Sequence, residues 1–420
     1  MTWVPSSSVT IGSVARCWNE REGSELIFQL SAQDEEALIA FLRDLVRTPS
    51  LSTQEGKVAA RVAEEMERVG FAQVFTDRMG SVVGRIGAGG GRKLLYNAHL
   101  DTVDVGDPAA WSRDPYGAVI EEGVLYGRGA CDMKGGLAAM VYGAKLLLDA
   151  GVALKGDLYV VGVVQEEPCE GLAMRVLIEE GGLRPDFVVL GEPTNLQVAR
   201  GHRGRMEMRV TVRGRACHAS APHQGENAIY AAARVIQGLE GLASRLAEDP
   251  FLGRGSLAVT HIESTAASRN AVPDLCTFTI DRRLTLGETE ETALAEVEGI
   301  IERAGIRAQV AVTGYRATSY AGYPCRARQV FPPWALPQDH PLVRATVRAV
   351  EKALGYEPRI GRWAFSTDGA YTMGVAGIPT VGFGPGEERF AHTVEDQVRV
   401  EAVIKAARVY AQLAVELLVD

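Results

Sequence analysis

The feature that most constrains this chain is a pattern that breaks off near residue 200 and resumes near residue 340. Before the break, short apolar runs alternate with helical periodicity. Gln33–Thr48 places Leu38, Phe41, Leu42 and Leu45 on one face, and Gln54–Val69 does the same with Val58, Val62 and Met66. Gly70 then supplies a C-cap. Strands are expected at Val82–Ile86, Lys93–Ala98, Asp157–Val164 and Phe187–Leu190, and helices at Gly135–Ala150 and Ala173–Glu180. Such alternation indicates a mostly parallel sheet covered by helices on both faces. The glycines of Gly87–Gly91 read as a hairpin turn, because a phosphate loop would need a helix directly after it.

After the break the strands alternate instead of running apolar throughout. Met206–Val212, Ser256–Ile262, Cys276–Arg282 and Arg307–Thr313 read as strands, with helices at Asn227–Leu242 and Glu288–Ala304. Two helices on a four-stranded antiparallel sheet form an α+β unit. The earlier pattern returns with helix Leu342–Leu354, strand Thr380–Phe383 and helix Val398–Leu418. A chain of 420 residues exceeds one compact core, so two domains are expected, one inserted in the other. The expected bounds are an N-terminal extension at 1–30, a catalytic domain at 31–203 and 317–420, and the insert at 204–316. Glycines in Arg200–Gly204 and Gly314–Ala317 are candidate hinges.

Five fragments carry chemistry. They are His99-Leu100-Asp101, the Gly-rich turn holding Asp132, Glu166-Glu167, Gly191-Glu192 and Ala391-His392-Thr393. Most follow an apolar strand, at the strand ends where such sheets bind ligands. Nitrogen and carboxylate donors without thiolate suit zinc, cobalt or manganese. Two ions about 3.5–4 Å apart need a bridging carboxylate. Asp132 is the candidate bridge, His99 and Glu192 would serve one ion, and Glu167 and His392 the other. Asp101 would accept a hydrogen bond from the far nitrogen of His99. Glu166 would not bind metal but would carry the proton of an activated water to the leaving amine. Singly, each has an ordinary reading: a structural histidine, a solvated acidic pair, a turn aspartate, an acid ending a strand. Together, acids at the ends of buried strands are poorly explained as a solvated face.

Composition removes other classes. A formal charge of −9 argues against nucleic acid, and the basic stretch Arg200–Arg215 lacks interleaved aromatics, so strand faces and hinge contacts explain it better. No apolar run approaches a membrane span. Residues 1–30 lack a signal-peptide pattern. Six cysteines lie far apart without a C-x-x-C pair, which fits a reducing cytoplasm.

The runs Asn97–Val103, Gly127–Gly136 and Gln165–Glu167 resemble the signature of the acetylornithine deacetylase, succinyl-diaminopimelate desuccinylase, aminoacylase and carboxypeptidase G family of dinuclear metallohydrolases, peptidase family M20. The resemblance spans about residues 33 to 418. Gly201–Glu207 and Phe365–Gly369 look most like its selenium-metabolism-linked branch. The resemblance implies an α/β, phosphorylase/hydrolase-like catalytic domain and a ferredoxin-like insert serving as lid and dimerisation domain. It implies His99, Asp132, Glu167, Glu192 and His392 as ligands of two divalent ions, zinc first, with Glu166 as general acid/base and Asp101 beside it. It also implies that His218 reaches a partner's active site to stabilise the oxyanion, and that Asn270 and Arg283 contact substrate. Arg283 could grip a carboxylate bidentately. The expected protein is a cytoplasmic homodimer that hydrolyses a small N-acyl amino acid or dipeptide-like substrate. A carbamoyl- or ureido-amino-acid amidohydrolase and a non-catalytic dimerising paralogue are the alternatives. Tyr320, Tyr323, Trp363 and Phe365 are candidate pocket residues.

Overall fold

Ser31 caps the first helix, Ala32–Arg47, by accepting from the Asp34 N–H, and Leu38, Phe41, Leu42 and Leu45 are buried as the periodicity requires. The second helix, Gly56–Val69, ends at Gly70 in the left-handed region. The computed structural model describes residues 27–419; apart from its last four residues, the expected extension at 1–30 lies outside them, as does Cys17.

Among the described residues the main sheet has nine strands. Its centre is parallel, in the order Asp157–Val163, Lys93–His99, Phe187–Leu190, Thr380–Gly382. Every residue of Asp157–Val163 is buried, which is why that run reads as apolar throughout. The flanks depart from the parallel pattern. Val82–Ile86 and Gln73–Thr76 add antiparallel on one side. On the other, Val198–His202 meets Thr380–Gly382 antiparallel and pairs with Trp334–Ala335 and Ile360–Trp363. Helices Gly135–Asp149 and Val400–Leu418 pack together on this sheet, and the Tyr96 hydroxyl donates to the Tyr410 carbonyl, tying the last helix to a central strand.

Gly87–Gly91 is not a hairpin turn. Val82–Ile86 and Lys93–His99 are not neighbours; Asp157–Val163 lies between them. The glycines carry the chain over the start of that strand, so closely that a Cβ on Gly91 would lie 2.1 Å from the Lys155 carbonyl oxygen. The Gly89 N–H donates to Asp157 Oδ1. Glycine is needed here for close approach and positive φ.

A second core gathers Met206, Met208, Val210, Val212, Val235, Phe278, Ile280 and Val297. Its sheet runs Ser256–Thr265, Leu275–Leu284, Gly204–Arg213, Ala308–Val312, all antiparallel, and Val330–Phe331 pairs alongside Gly204–Arg213. Helices Ala228–Ala243 and Glu290–Arg303 cover it, the latter opened by a Thr289–Thr292 capping box. The connection order matches a ferredoxin-like unit.

Neither candidate hinge is a loose glycine segment. A Cβ on Gly204 would lie 2.5 Å from the Phe331 carbonyl oxygen, so this glycine allows two backbones to touch. Gly314–Thr318 pairs with Pro324–Arg328 in a hairpin whose tyrosines grip the larger body: Tyr315 donates to Gln165, Tyr320 to the Gly80 carbonyl, Tyr323 to Glu180. Tyr320 and Tyr323 are therefore straps, and Trp363 is buried in the core. Among the described residues no helix is long and apolar enough to cross a membrane.

His202 sits fully buried where the two bodies meet. Its Nδ1 accepts from the Thr367 N–H at 2.9 Å, which leaves Nε2 to donate to the Pro332 carbonyl at 3.2 Å. Both nitrogens are satisfied by the neutral ring, and burial depresses its pKa to about 3. The unfolded chain binds this proton below pH ~6.5 and the folded chain does not, so His202 costs stability as pH falls from ~6.5 towards 3, by up to ~1.4 kcal/mol per pH unit. The stability advantage of wild type over His202→Gln should shrink steadily between pH 7 and 4.5 in thermal melts. A constant gap across that range would refute the neutral assignment.

Candidate metal centre

Three of the parallel strands deliver acids or imidazoles at their C-terminal ends. His99 closes Lys93–His99, Glu166 and Glu167 follow Asp157–Val163, and Glu192 follows Phe187–Leu190. Gln165, at φ 56°, turns the chain so that the two following glutamates diverge. Asp132 comes from the turn entering helix Gly135–Asp149, and its peptide bond to Met133 is cis. His392 arrives from the C-terminal segment, also with positive φ.

The two oxygens of Asp132 face the two imidazoles. Oδ1 lies 2.8 Å from His99 Nε2, and Oδ2 lies 3.3 Å from His392 Nε2. Glu167 Oε2 is 3.0 Å from His392 Nε2, and Glu192 Oε1 is 3.9 Å from His99 Nε2. His99, Asp132 and Glu167 form one cluster of possible metal donors; His99, Glu166 and Glu192 form another. The sequence-based ligands thus converge, and Glu166 stands close enough to join them.

Asp101 differs in detail from expectation. The Nδ1 of His99 donates to the Asp101 main-chain carbonyl at 2.8 Å, while its carboxylate oxygen is 3.9 Å away. That carboxylate instead accepts from the Glu166 and Glu167 N–H groups, at 3.1 and 3.2 Å, and from Ser52 Oγ at 2.7 Å. Asp101 therefore sets the His99 tautomer through its backbone and holds the Glu166-Glu167 turn through its side chain.

The donor set demands cations. With Nδ1–H committed to a carbonyl, a neutral His99 would point the lone pair of Nε2 at Asp132 Oδ1, two acceptors at 2.8 Å. Only a proton or a metal ion between them makes the contact favourable. Burial alone would lower the His99 pKa, yet the Asp132 hydrogen bond and the surrounding carboxylates raise it well above the ordinary value. Hydrogen bonds to Asp132 and Glu167 raise His392 to about 10. Burial raises Glu166 and Glu192 well above the carboxylate range, with Glu192 and Asp132 respectively adding to it. Glu166 Oε1 is buried without a hydrogen-bond partner. Imidazole nitrogens and carboxylates in this number fit two divalent ions of the zinc, cobalt or manganese type.

The centre floors a cleft of about 310 Å³. Arg283 lines it, held by Asp281 at 2.7 Å, as do Arg205, Glu170, Phe365, Ser366 and Glu388. His218 and Asn270 do not line it. They sit on the insert, where His218 pairs with Ala271 and its Nδ1 contacts Ser220 Oγ at 2.7 Å. The Arg205–Glu170 pair, bidentate at 2.9 Å twice, was missed because Arg205 read as one of many strand arginines. Its alternation with buried Met206 and Met208 gave only a strand face.

The sequence pattern of peptidase family M20/M25/M40 matches residues 95–416. YgeY of Escherichia coli strain K12 is 42% identical over 389 residues, which is 93% of this chain and 96% of that protein. Succinyl-diaminopimelate desuccinylase of Methylocella silvestris is 27% identical over 89% of this chain and 96% of its own length. The crystal structure of Bacillus subtilis YXEP protein, described as a dinuclear metal-binding peptidase, superposes with a TM-score of 0.67 at 19% identity, covering 92% of this chain and 99% of that one, and so shares the fold. With that match over most of its length, and with the converged donors above, the chain belongs to peptidase family M20/M25/M40.

Proposed function

We propose that this protein is a dinuclear metal-dependent hydrolase that cleaves the amide bond of a small N-acyl amino acid or dipeptide-like substrate bearing a free carboxylate. The observation that carries this reading is Asp132 with one oxygen towards each imidazole, at the floor of a cleft that also holds Glu166 and Arg283. His99 and Glu192 would hold one ion, Glu167 and His392 the other, and Asp132 both. Zinc is the first candidate, with cobalt or manganese also suited. Bound divalent ions polarise a scissile carbonyl and make water acidic enough to ionise near neutral pH.

Glu166 takes the proton of the attacking water and returns it to the leaving nitrogen. Its unpaired Oε1 and raised pKa suit a group that must alternate between base and acid. Arg283 faces the cleft with its guanidinium oriented by Asp281, ready for a substrate carboxylate. Residues 204–316 act as lid and dimerisation domain. His218 and Asn270 are exposed on it and outside the cleft of their own chain, which supports their entering the cleft of a second copy. The relatives that carry a desuccinylase name support the substrate class. Well-separated free cysteines among the described residues support a cytoplasmic protein.

In a screen of N-acetyl, N-succinyl, N-carbamoyl and dipeptide substrates, chelation should abolish turnover and zinc or cobalt should restore it. Glu166→Gln should lower kcat by about 10²–10⁴-fold while both metals stay bound by elemental analysis. Full activity in that variant would exclude Glu166 as the proton carrier.

A mixing experiment tests the shared site. Glu166→Gln and His218→Ala homodimers should each be nearly inactive. Random subunit exchange should restore about a quarter of wild-type activity, because half the dimers are hybrids and each hybrid holds one intact site. No recovery after verified exchange would count against His218 acting across the interface.

A further inference from the structure

One buried carboxylate near the centre has no part in the chemistry above. Asp396 lies four residues beyond His392 and is 1% exposed. Its Oδ2 accepts from the Gly129 N–H at 2.7 Å and from Arg128 Nη1 at 3.2 Å, and its Oδ1 accepts from the Cys131 N–H at 2.8 Å. Its main-chain carbonyl accepts from the Gly127 N–H at 2.9 Å. Every one of these donors lies in the turn that ends at Asp132.

Two ligand-bearing segments distant in sequence are thereby joined through Asp396, next to the strand pairing of Gln397–Arg399 with Val124–Tyr126. The turn Gly127–Cys131 has no regular hydrogen-bond ladder of its own to fix where Asp132 points, and Gly127 and Gly129 both have positive φ. The segment Ala391–Asp396 is likewise outside the main sheet. Asp132 Oδ2 and His392 Nε2 must nonetheless stay 3.3 Å apart to share an ion. The strand pairing stops at Tyr126, and beyond it the Asp396 carboxylate, accepting from the Gly129 and Cys131 N–H groups, supplies that constraint on the turn itself.

We infer that Asp396 is a positioning residue of the metal centre: it clamps the Asp132 turn to the His392 segment and so sets the separation at which the bridging carboxylate and His392 share one ion. The inference rests on the two-ion reading. The isosteric Asp396→Asn must turn an amide NH₂ towards one of the two backbone N–H groups, donor against donor, which frees that side of the turn. Residues that orient metal ligands in this way typically account for about 10–100-fold in metal affinity.

The experiment is competition of zinc and of cobalt against a fluorescent chelator, using the full chain, with thermal melts of the metal-free protein and visible spectra of the cobalt form. Asp396→Asn should melt close to wild type without metal, lose about 10–100-fold in affinity for the more weakly held ion, and show shifted cobalt bands. The neighbouring Glu395→Gln, which removes a charge but no clamp, should keep wild-type affinity and spectrum. If Asp396→Asn does not fold, Asp396→Glu, which keeps both acceptors on a longer arm, is measured instead; shifted cobalt bands support the clamp. Unchanged affinity and spectrum in whichever Asp396 variant folds overturn it, as does an equal loss in Glu395→Gln. Failure of the wild-type chain to take up two ions would instead refute the proposed function.

Discussion

The arrangement depends on one contact that is unfavourable between a neutral imidazole and a carboxylate. Asp132 offers an oxygen to each of two imidazoles, and the His99 ring has already committed its Nδ1 proton to the Asp101 carbonyl. Glu166, Glu167 and Glu192 crowd the same volume, and burial raises the pKa of each, so without cations the site favours their neutral, protonated forms. Burial of like charges costs several kcal/mol per unpaired ion. Divalent ions held by these donors would let the carboxylates ionise, and the parallel strands behind His99, Glu166 and Glu192 hold the donors in place for them.

Charge in the cleft is paired in two ways. Asp132 and Glu167 face the imidazoles of His99 and His392. Two further acids are paired with arginines: Glu170 is bound bidentately by Arg205, and Asp281 holds Arg283. The insert supplies both arginines, on strands Gly204–Arg213 and Leu275–Leu284. Both arginines line the cleft, although the chain as a whole is acidic. Local placement outweighs net charge here, because screening confines exposed surface charges to about 10 Å.

What could be read from residues alone followed from how local the cause was. The helices Ala32–Arg47 and Gly56–Val69 and the strand Asp157–Val163 are dictated by their own periodicity or burial, so their places were legible. The candidate metal donors were legible as a group because acids and imidazoles at strand ends are chemically conspicuous, and they lie together in the structure. Gly87–Gly91 misled because two segments close in sequence were separated by a strand 70 residues later, a fact held in Asp157 and Lys155 rather than in the glycines. The strap tyrosines looked like pocket residues for the same reason: Tyr320 is decided by Gly80, far away. Asp101 was expected to meet His99 through its carboxylate, but the carbonyl makes the contact because the carboxylate is taken by the Glu166-Glu167 turn. Asp396 had no conspicuous signal, since its partners are backbone N–H groups.

The same reasoning explains how a catalytic body tolerates an insertion between its ligands. Glu192 and His392 are separated by the whole insert, yet the chain leaves the larger body at Gly204–Met206 and comes back beside that point, where Val330 pairs with Met206 and Phe331 with Arg205. The ends of the intervening segment are adjacent, so the larger body closes much as it would with a short loop. Closure entropy grows only as the logarithm of loop length, about 0.6 kcal/mol per doubling. The insert also forms its own core, so it adds stability rather than drawing on that of the larger body. Its arginines Arg205 and Arg283 nonetheless line the same cleft as the candidate metal donors of the larger body.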